Sequence, residues 1–172
     1  MALIEDLAAS LASIGFRRIV FLNGHYDNTY AIAYACANVA DRLPEGARAY
    51  PLNYWDGMSA EEAAEFFDPS NGLHANKGET SAVLAINPDL VDMERANAEM
   101  PPFPDVTNPA PVHTAFFFSM PGSVHDATRS GTWGDAREAS PAFGERYLEV
   151  VTGATIRLIG DVERTIEAMP RR

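Results

Sequence analysis

Ile19-Val20-Phe21-Leu22-Asn23-Gly24-His25-Tyr26-Asp27-Asn28 is the stretch on which the fold turns. Four consecutive large apolar residues, Ile19 to Leu22, read as a strand buried on both faces, and they stop at Asn23-Gly24, where the backbone must turn. After Asn28, apolar positions at Ile32, Ala35, Cys36, Val39 and Leu43 have the spacing of one helix face. His25, Tyr26, Asp27 and Asn28 therefore fall in a strand-to-helix loop. In open α/β sheets ligands bind at that end, because such loops converge on a crevice outside the carboxyl ends of the strands.

Working outward, Leu3, Leu7, Leu11 and Ile14 recur every three or four residues before Gly15, which predicts an amphipathic helix over 3–14 ended by a glycine. The helix after the loop is expected over 29–43, closed by Pro44 and Gly46. A second strand is expected over 47–52, leading into Tyr54-Trp55-Asp56. Ser59 followed by Glu61 and Glu62 reads as a capped helix start, with the helix running to Phe67 before Asp68-Pro69. Residues 70–78 have a loop composition before an apolar helical run over 81–86, and five prolines between 100 and 112 predict an extended arm. Ala115 to Met120 reads as a strand turned by Pro121-Gly122. Ser140-Pro141 starts a long final helix whose buried face is Phe143, Tyr147, Val150, Val151, Ala154 and Leu158. Strands alternating with helices argue for a mostly parallel α/β sheet with helices on both faces.

The chain has 172 residues, 47% of them hydrophobic, which suits one domain spanning 1–172. Its net charge of −11, without any lysine or arginine run longer than a pair such as the terminal Arg171-Arg172, argues against nucleic acid or an anionic membrane as partner. The single cysteine, Cys36, reads as a small core thiol. No apolar run approaches the length of a membrane span and the first residues carry Glu5 and Asp6, so a cytoplasmic location is expected.

Two loops concentrate the chemistry. His25 and Asp27 pair an imidazole with a carboxylate two residues on, donors of the kind that bind zinc or manganese. His74 and Glu79 stand together at the mouth of a helix. On spacing alone the plainer reading is the stronger: a turn-bonded histidine, a helix-capping aspartate, a glutamate favoured by the helix dipole and a loop histidine.

The order in which these pieces occur carries more. Asn23-Gly24-His25-Tyr26-Asp27-Asn28, then Tyr54-Trp55-Asp56, then His74 with Glu79-Thr80-Ser81, then Gly131-Thr132-Trp133-Gly134-Asp135, resembles the creatininase (creatinine amidohydrolase) family from about residue 3 to 165. Asp27 stands where creatininase itself has a glutamate. The resemblance implies a three-layer α/β/α sandwich with a mostly parallel sheet, and hydrolysis of a cyclic amide or other C–N bond at a two-metal centre of zinc or manganese. It also implies site roles. His25 and Asp27 would be metal ligands, each to a different metal, Glu79 the catalytic proton shuttle, His74 a catalytic and substrate-holding group, and Tyr26 and Trp55 contacts to a flat small-molecule substrate. His113 and His125 have no counterpart in that pattern.

The chain departs from the family in two places. A Glu-x-His-Gly segment and a later Thr-Asp, which supply three of five metal ligands in the family, are missing ahead of residue 1, so an N-terminally incomplete domain with weakly held metal is expected. Pro69-Ser70-Asn71-Gly72-Leu73 precedes His74 without the tryptophan and aspartate that creatininase places there, which argues against creatinine itself as substrate. The expected chain is thus an amidohydrolase that takes its missing ligands from a restored start or a complementing subunit, or that forms a homo-oligomer. The alternative is a non-catalytic homologue serving as a structural or regulatory subunit.

Overall fold

The computed structural model describes residues 1–67, 71–107, 115–116, 119 and 123–169. The chain divides into two compact units, Met1–Gly57 with Thr152–Arg172, and Met58–Val151. The expected strand from Ala115 to Met120, the Pro121-Gly122 turn, Pro109 and Pro111 of the arm, the Asp68-Pro69 helix end and Arg171-Arg172 lie wholly or in part outside the described residues.

In the first unit, helix α1 (Ala2–Ser13) leads through Gly15 to strand β1 (Arg18–Asn23). Gly15 has φ +107°, and its amide and that of Phe16 donate to Ala12 and Leu11 carbonyls at 3.1 Å, so the glycine stop works as the sequence predicts. β1 pairs in parallel with β2 (Arg48–Asn53), in step from Arg18 opposite Arg48 to Asn23 opposite Asn53. Between them run α2 (Thr29–Val39) and a 3-10 turn, Ala40–Arg42, so the helix ends four residues earlier than expected while burying the expected Ala35, Cys36 and Val39. Burial pushes the Cys36 thiol pKa up, as suits an inert core thiol.

Two expectations about burial need correction. β1 alternates: Ile19 and Asn23 are buried and Phe21 is half-buried, whereas Val20 and Leu22 are exposed, Leu22 by 51%. Ile19 packs with Ala12 and Ala47, flanked by Leu11, Phe21 and Leu43, so one sheet face is covered and the strand is not buried on both. On α1 the buried positions are Ala8 and Ala12, while Leu3 and Ile14 are more than 70% exposed and Leu7 is exposed too. α1 packs on α2, and alanines allow close approach of two helices, which turns the larger side chains outward.

The second unit begins with α3 (Ala60–Phe66), started by a capping box in which Ser59 accepts from Glu62 N–H and the Glu62 side chain from Ser59 N–H. α4 spans Lys77–Ile86 rather than starting at Ser81, because Asn76 caps it by accepting from Glu79 N–H at 3.0 Å. The long helix α5 (Pro141–Ala168) begins here, with Ser140 Oγ accepting from Phe143 N–H. Phe66 packs on Phe143 and Tyr147 at ring distances of 5.3 and 5.4 Å, and Arg146 forks onto Glu65 at 2.9 and 3.0 Å. Gly144 admits the Ser81 carbonyl, which would lie 1.9 Å from any Cβ there.

A small antiparallel sheet, absent from the sequence reading, completes this unit: β3 (Gly72–His74), β4 (Ala98–Glu99) and β5 (Trp133–Asp135), in the order β3-β5-β4. Such short strands carry no periodicity to read. The prolines over 101–107 form no regular element, as expected, and Phe103 anchors that arm on the buried Trp133 at 5.3 Å. Glu99 clamps the turn into β5: its carboxylate accepts from Arg129 N–H at 2.6 Å, from Ser130 N–H at 2.9 Å and from the Ser130 hydroxyl.

The backbone amide of Arg129, then the Ser130 groups, hold the Glu99 carboxyl below the usual glutamate range. A depressed folded pKa means that the clamp is complete above the ordinary value and is lost as pH falls through the lowered one. The Arg129 and Ser130 amide proton resonances should therefore move upfield only at pH below about 4.5. Glu99→Gln should show the low-pH positions at neutral pH. A transition centred on the ordinary glutamate value would contradict the clamp.

Candidate active site

The parallel ladder ends with two asparagines side by side, and each begins a loop that carries expected site residues. Asn23 is only 2% exposed. Its Oδ1 accepts from His25 N–H at 3.0 Å, and its Nδ2 donates to Asn53 Oδ1 at 2.8 Å and to Thr29 Oγ1 at 3.2 Å. Asn53 in turn donates from Nδ2 to Asp56 Oδ2 at 2.8 Å. A buried amide with every group paired leaves the following turn one arrangement, because any other would strand a polar atom away from water.

His25 is extended and precedes a 3-10 turn, Tyr26–Asn28. Its Nδ1 accepts from Asp27 N–H at 3.4 Å and lies 3.7 Å from Asp27 Oδ2, with both side chains about half exposed. The Tyr26 ring stands 6.4 Å from that of Trp55 at 37°, and Tyr54 meets Trp55 edge-on at 4.8 Å and 83°, which fixes the plane of the indole. The first unit thus brings His25, Tyr26, Asp27 and Trp55 together on the loops after β1 and β2.

An imidazole nitrogen and a carboxylate oxygen, both reachable from solvent, suit a divalent cation as donors. They are two ligands where an ion takes four or more. Among the described residues no group of three or more His, Cys, Asp and Glu could hold a metal. The donor set therefore fits part of a cation's shell.

In the second unit His74 ends β3 and Glu79 lies in the first turn of α4. Between them Ala75 has φ +48°, a left-handed conformation that costs a non-glycine residue energy and that clusters at functional sites. This conformation points Ala75 N–H at Glu79 Oε2, 2.6 Å away, with His74 Nδ1 4.0 Å from the same oxygen. Asn76 holds the turn by donating to Gly72 O at 2.9 Å. Gly134, at φ +147°, gives Asn76 its place, since a Cβ there would lie 2.7 Å from that of Asn76. The Gly-Thr-Trp-Gly-Asp segment thus supports the His74–Glu79 turn.

His125 lies against Gly131, its imidazole 3.0 Å from where a Cβ would stand, and His113 is outside the described residues. An apolar pocket of about 370 Å³, lined by Pro101, Phe103, Val106 and Phe116 among others, holds none of the expected site residues. The sequence reading missed Asn23, Asn53, Ala75 and Asn76. An asparagine ending each of two apolar strands, and the Asn76-x-x-Glu79 cap spacing, were the available signals.

Comparison with known proteins gives the same family from three directions. The family model for creatininase, creatinine amidohydrolase, matches residues 1–159. A creatinine amidohydrolase of Pseudomonas putida is 31% identical over 160 residues, covering 86% of this chain and 56% of that protein. A manganese creatininase structure superposes with a TM-score of 0.71 at 28% identity, over 92% of this chain and 62% of that one. A Glu-to-Gln variant of creatininase complexed with creatine gives a TM-score of 0.70 at 27% identity, over 93% and 62%. The described helices and the parallel β1–β2 pair are part of that creatininase-like α/β fold. The chain spans somewhat more than half the length of these relatives. The match from residue 1 to residue 159 and the likeness to the Pseudomonas putida protein make this chain a member of the creatininase family.

Proposed function

We propose that this chain carries part of the active site of a metal-dependent amidohydrolase that opens the C–N bond of a small cyclic amide. The observation that carries the reading is the Glu79 carboxylate. Oε2 is held by the Ala75 amide, and Oε1 has no hydrogen-bond partner among the described residues. One oxygen fixed and one oxygen free is what a proton shuttle needs, since the base must be aimed without its acceptor being spent.

His25 and Asp27 would each be a ligand to a different divalent cation, and relatives of this chain are named as manganese and Zn-Zn forms. A cation of this kind supplies Lewis acidity toward a carbonyl and makes water a nucleophile at neutral pH. Glu79 Oε1 takes the proton of the attacking water and returns it to the leaving nitrogen. In the second unit His74 would hold substrate beside Glu79, and in the first Tyr26 and Trp55 would receive a flat ring. Creatinine and creatine appear in the relatives' names and define the chemical class to assay first.

A second reading keeps one observation on its side. Two metal donors in the first unit, with no third acidic or histidine ligand beside them among the described residues, suit a non-catalytic subunit equally. The two readings share an assembly proposal. The exposed Leu3, Leu7 and Ile14 of α1, with Val20 and Leu22 of β1, support association of the chain with itself or with a complementing subunit. Helix α5 carries residues of both units, which supports treating 1–172 as one domain.

Sedimentation of the chain at micromolar concentration should report an oligomer, and a clean monomer would contradict the assembly proposal. In the assembly that hydrolyses the amide, Glu79→Gln should lower kcat by at least about 10²–10⁴-fold while metal content stays nearly constant. Glutamine keeps the size but cannot accept the proton. His25→Ala should lose metal and activity together. Loss of metal from the glutamine variant would make Glu79 a ligand, and full activity in it would reject both roles.

A further inference from the structure

We propose that the Asn23–Asn53 pair couples the two site loops of the first unit. Ordering of the His25–Asp27 loop and of the Tyr54–Trp55–Asp56 loop then becomes one event, with Asn23 positioning His25 and Asn53 positioning Trp55. The proposal rests on the reading of His25 and Trp55 as site residues, and it adds that neither is placed independently.

The geometry is a directed chain of hydrogen bonds. His25 N–H donates to Asn23, Asn23 Nδ2 to Asn53 at 2.8 Å, and Asn53 Nδ2 to Asp56 Oδ2 at 2.8 Å. Asn53 N–H reaches the same Asp56 oxygen at 3.3 Å, and Tyr54 N–H donates to Asn23 O at 3.2 Å. Trp55 is thus bracketed by Tyr54, bonded to the last residue of the other strand, and Asp56, bonded to the asparagine that pairs with it. Each carboxamide has one sense only. Turning Asn53 over would set its amino group against that of Asn23 and its oxygen against the Asp56 carboxylate, so both asparagines hold or both let go.

The plainer account is that each asparagine merely closes its own turn, since an asparagine oxygen bonding the amide two residues on is a common turn device. The two accounts differ over the cross-strand bond. If each asparagine serves only its own loop, disturbing one loop leaves the other unchanged. If the pair couples them, a change at the far end of the chain of bonds reaches His25.

Asp56 is exposed, so its loss leaves the core intact and still removes the partner that orients Asn53. The test is amide hydrogen exchange, read residue by residue by NMR on the full chain without metal. Asp56→Ala should speed exchange at the His25 and Asn28 amides by about two- to tenfold, the factor expected for one lost hydrogen bond. The β1–β2 ladder amides should keep their rates. Asn23→Asp keeps the acceptor for His25 N–H and removes the donors to Asn53 and Thr29, and it should speed exchange at Asp56. Changes confined to each variant's own loop would overturn the coupling.

Addition of zinc ion to the wild-type chain separates this from the metal reading. Shifts at both His25 and the Trp55 indole N–H are expected. A shift at His25 without one at Trp55 would count against the coupling. No zinc effect at His25 would reject its role as ligand, and the metal-free exchange rates would still decide whether the loops are coupled.

Discussion

The amide of Asn23 sits at the end of a strand, out of water, and has to find a partner for each of its polar groups. It finds them in His25 N–H, Asn53 and Thr29, one from its own loop, one from the neighbouring strand and one from the helix that follows. An unpaired buried amide costs about 1–3 kcal/mol, so these contacts are obligatory rather than incidental. The loop that carries His25 and Asp27 takes its shape from them. The same parallel register that puts Asn23 beside Asn53 places the Trp55 loop next to it. The arrangement of both loops of the first unit depends on this one satisfied network.

The second unit solves a similar problem by different means. Here Glu79 is held at the first turn of a helix by the backbone amide of Ala75, which reaches it from a left-handed residue. That conformation is held by Asn76, and Asn76 is held by close backbone approaches that only glycine permits at positions 72 and 134. Glu99 then fixes the turn from which Gly134 emerges. The strain at one residue is thus spread over a small sheet with little regular periodicity of its own.

This contrast explains what could be read in advance. Ile19 to Leu22, the helix face from Ile32 to Val39, the glycine stop at Gly15 and the capped start at Ser140 all announce themselves locally, and each is found. The positions of His25, Asp27 and Trp55 followed from strand ends. Apart from the local Asn76–Glu79 cap, what escaped reading depended on contacts distant in sequence. Whether Leu3 or Ala8 faces inward is decided by how closely α2 approaches, and whether Val20 is covered is decided by what lies over the sheet. The three short strands pair residues about 35 to 62 apart, from Glu99 with Gly134 to Gly72 with Gly134, with no pattern to announce it. The Asn23–Asn53 bond is of the same kind, since nothing near either residue in the chain signals the other.

In the proposed function the loop after β1 presents His25 and Asp27 as ligands to divalent cations. Anomalous diffraction at the manganese edge, on crystals of the chain soaked in manganese, tests it most directly. A peak is expected at about 2.0–2.3 Å from a His25 ring nitrogen or an Asp27 carboxylate oxygen. Manganese bound elsewhere, with both side chains left free at a soaking concentration that fills other sites, would contradict it.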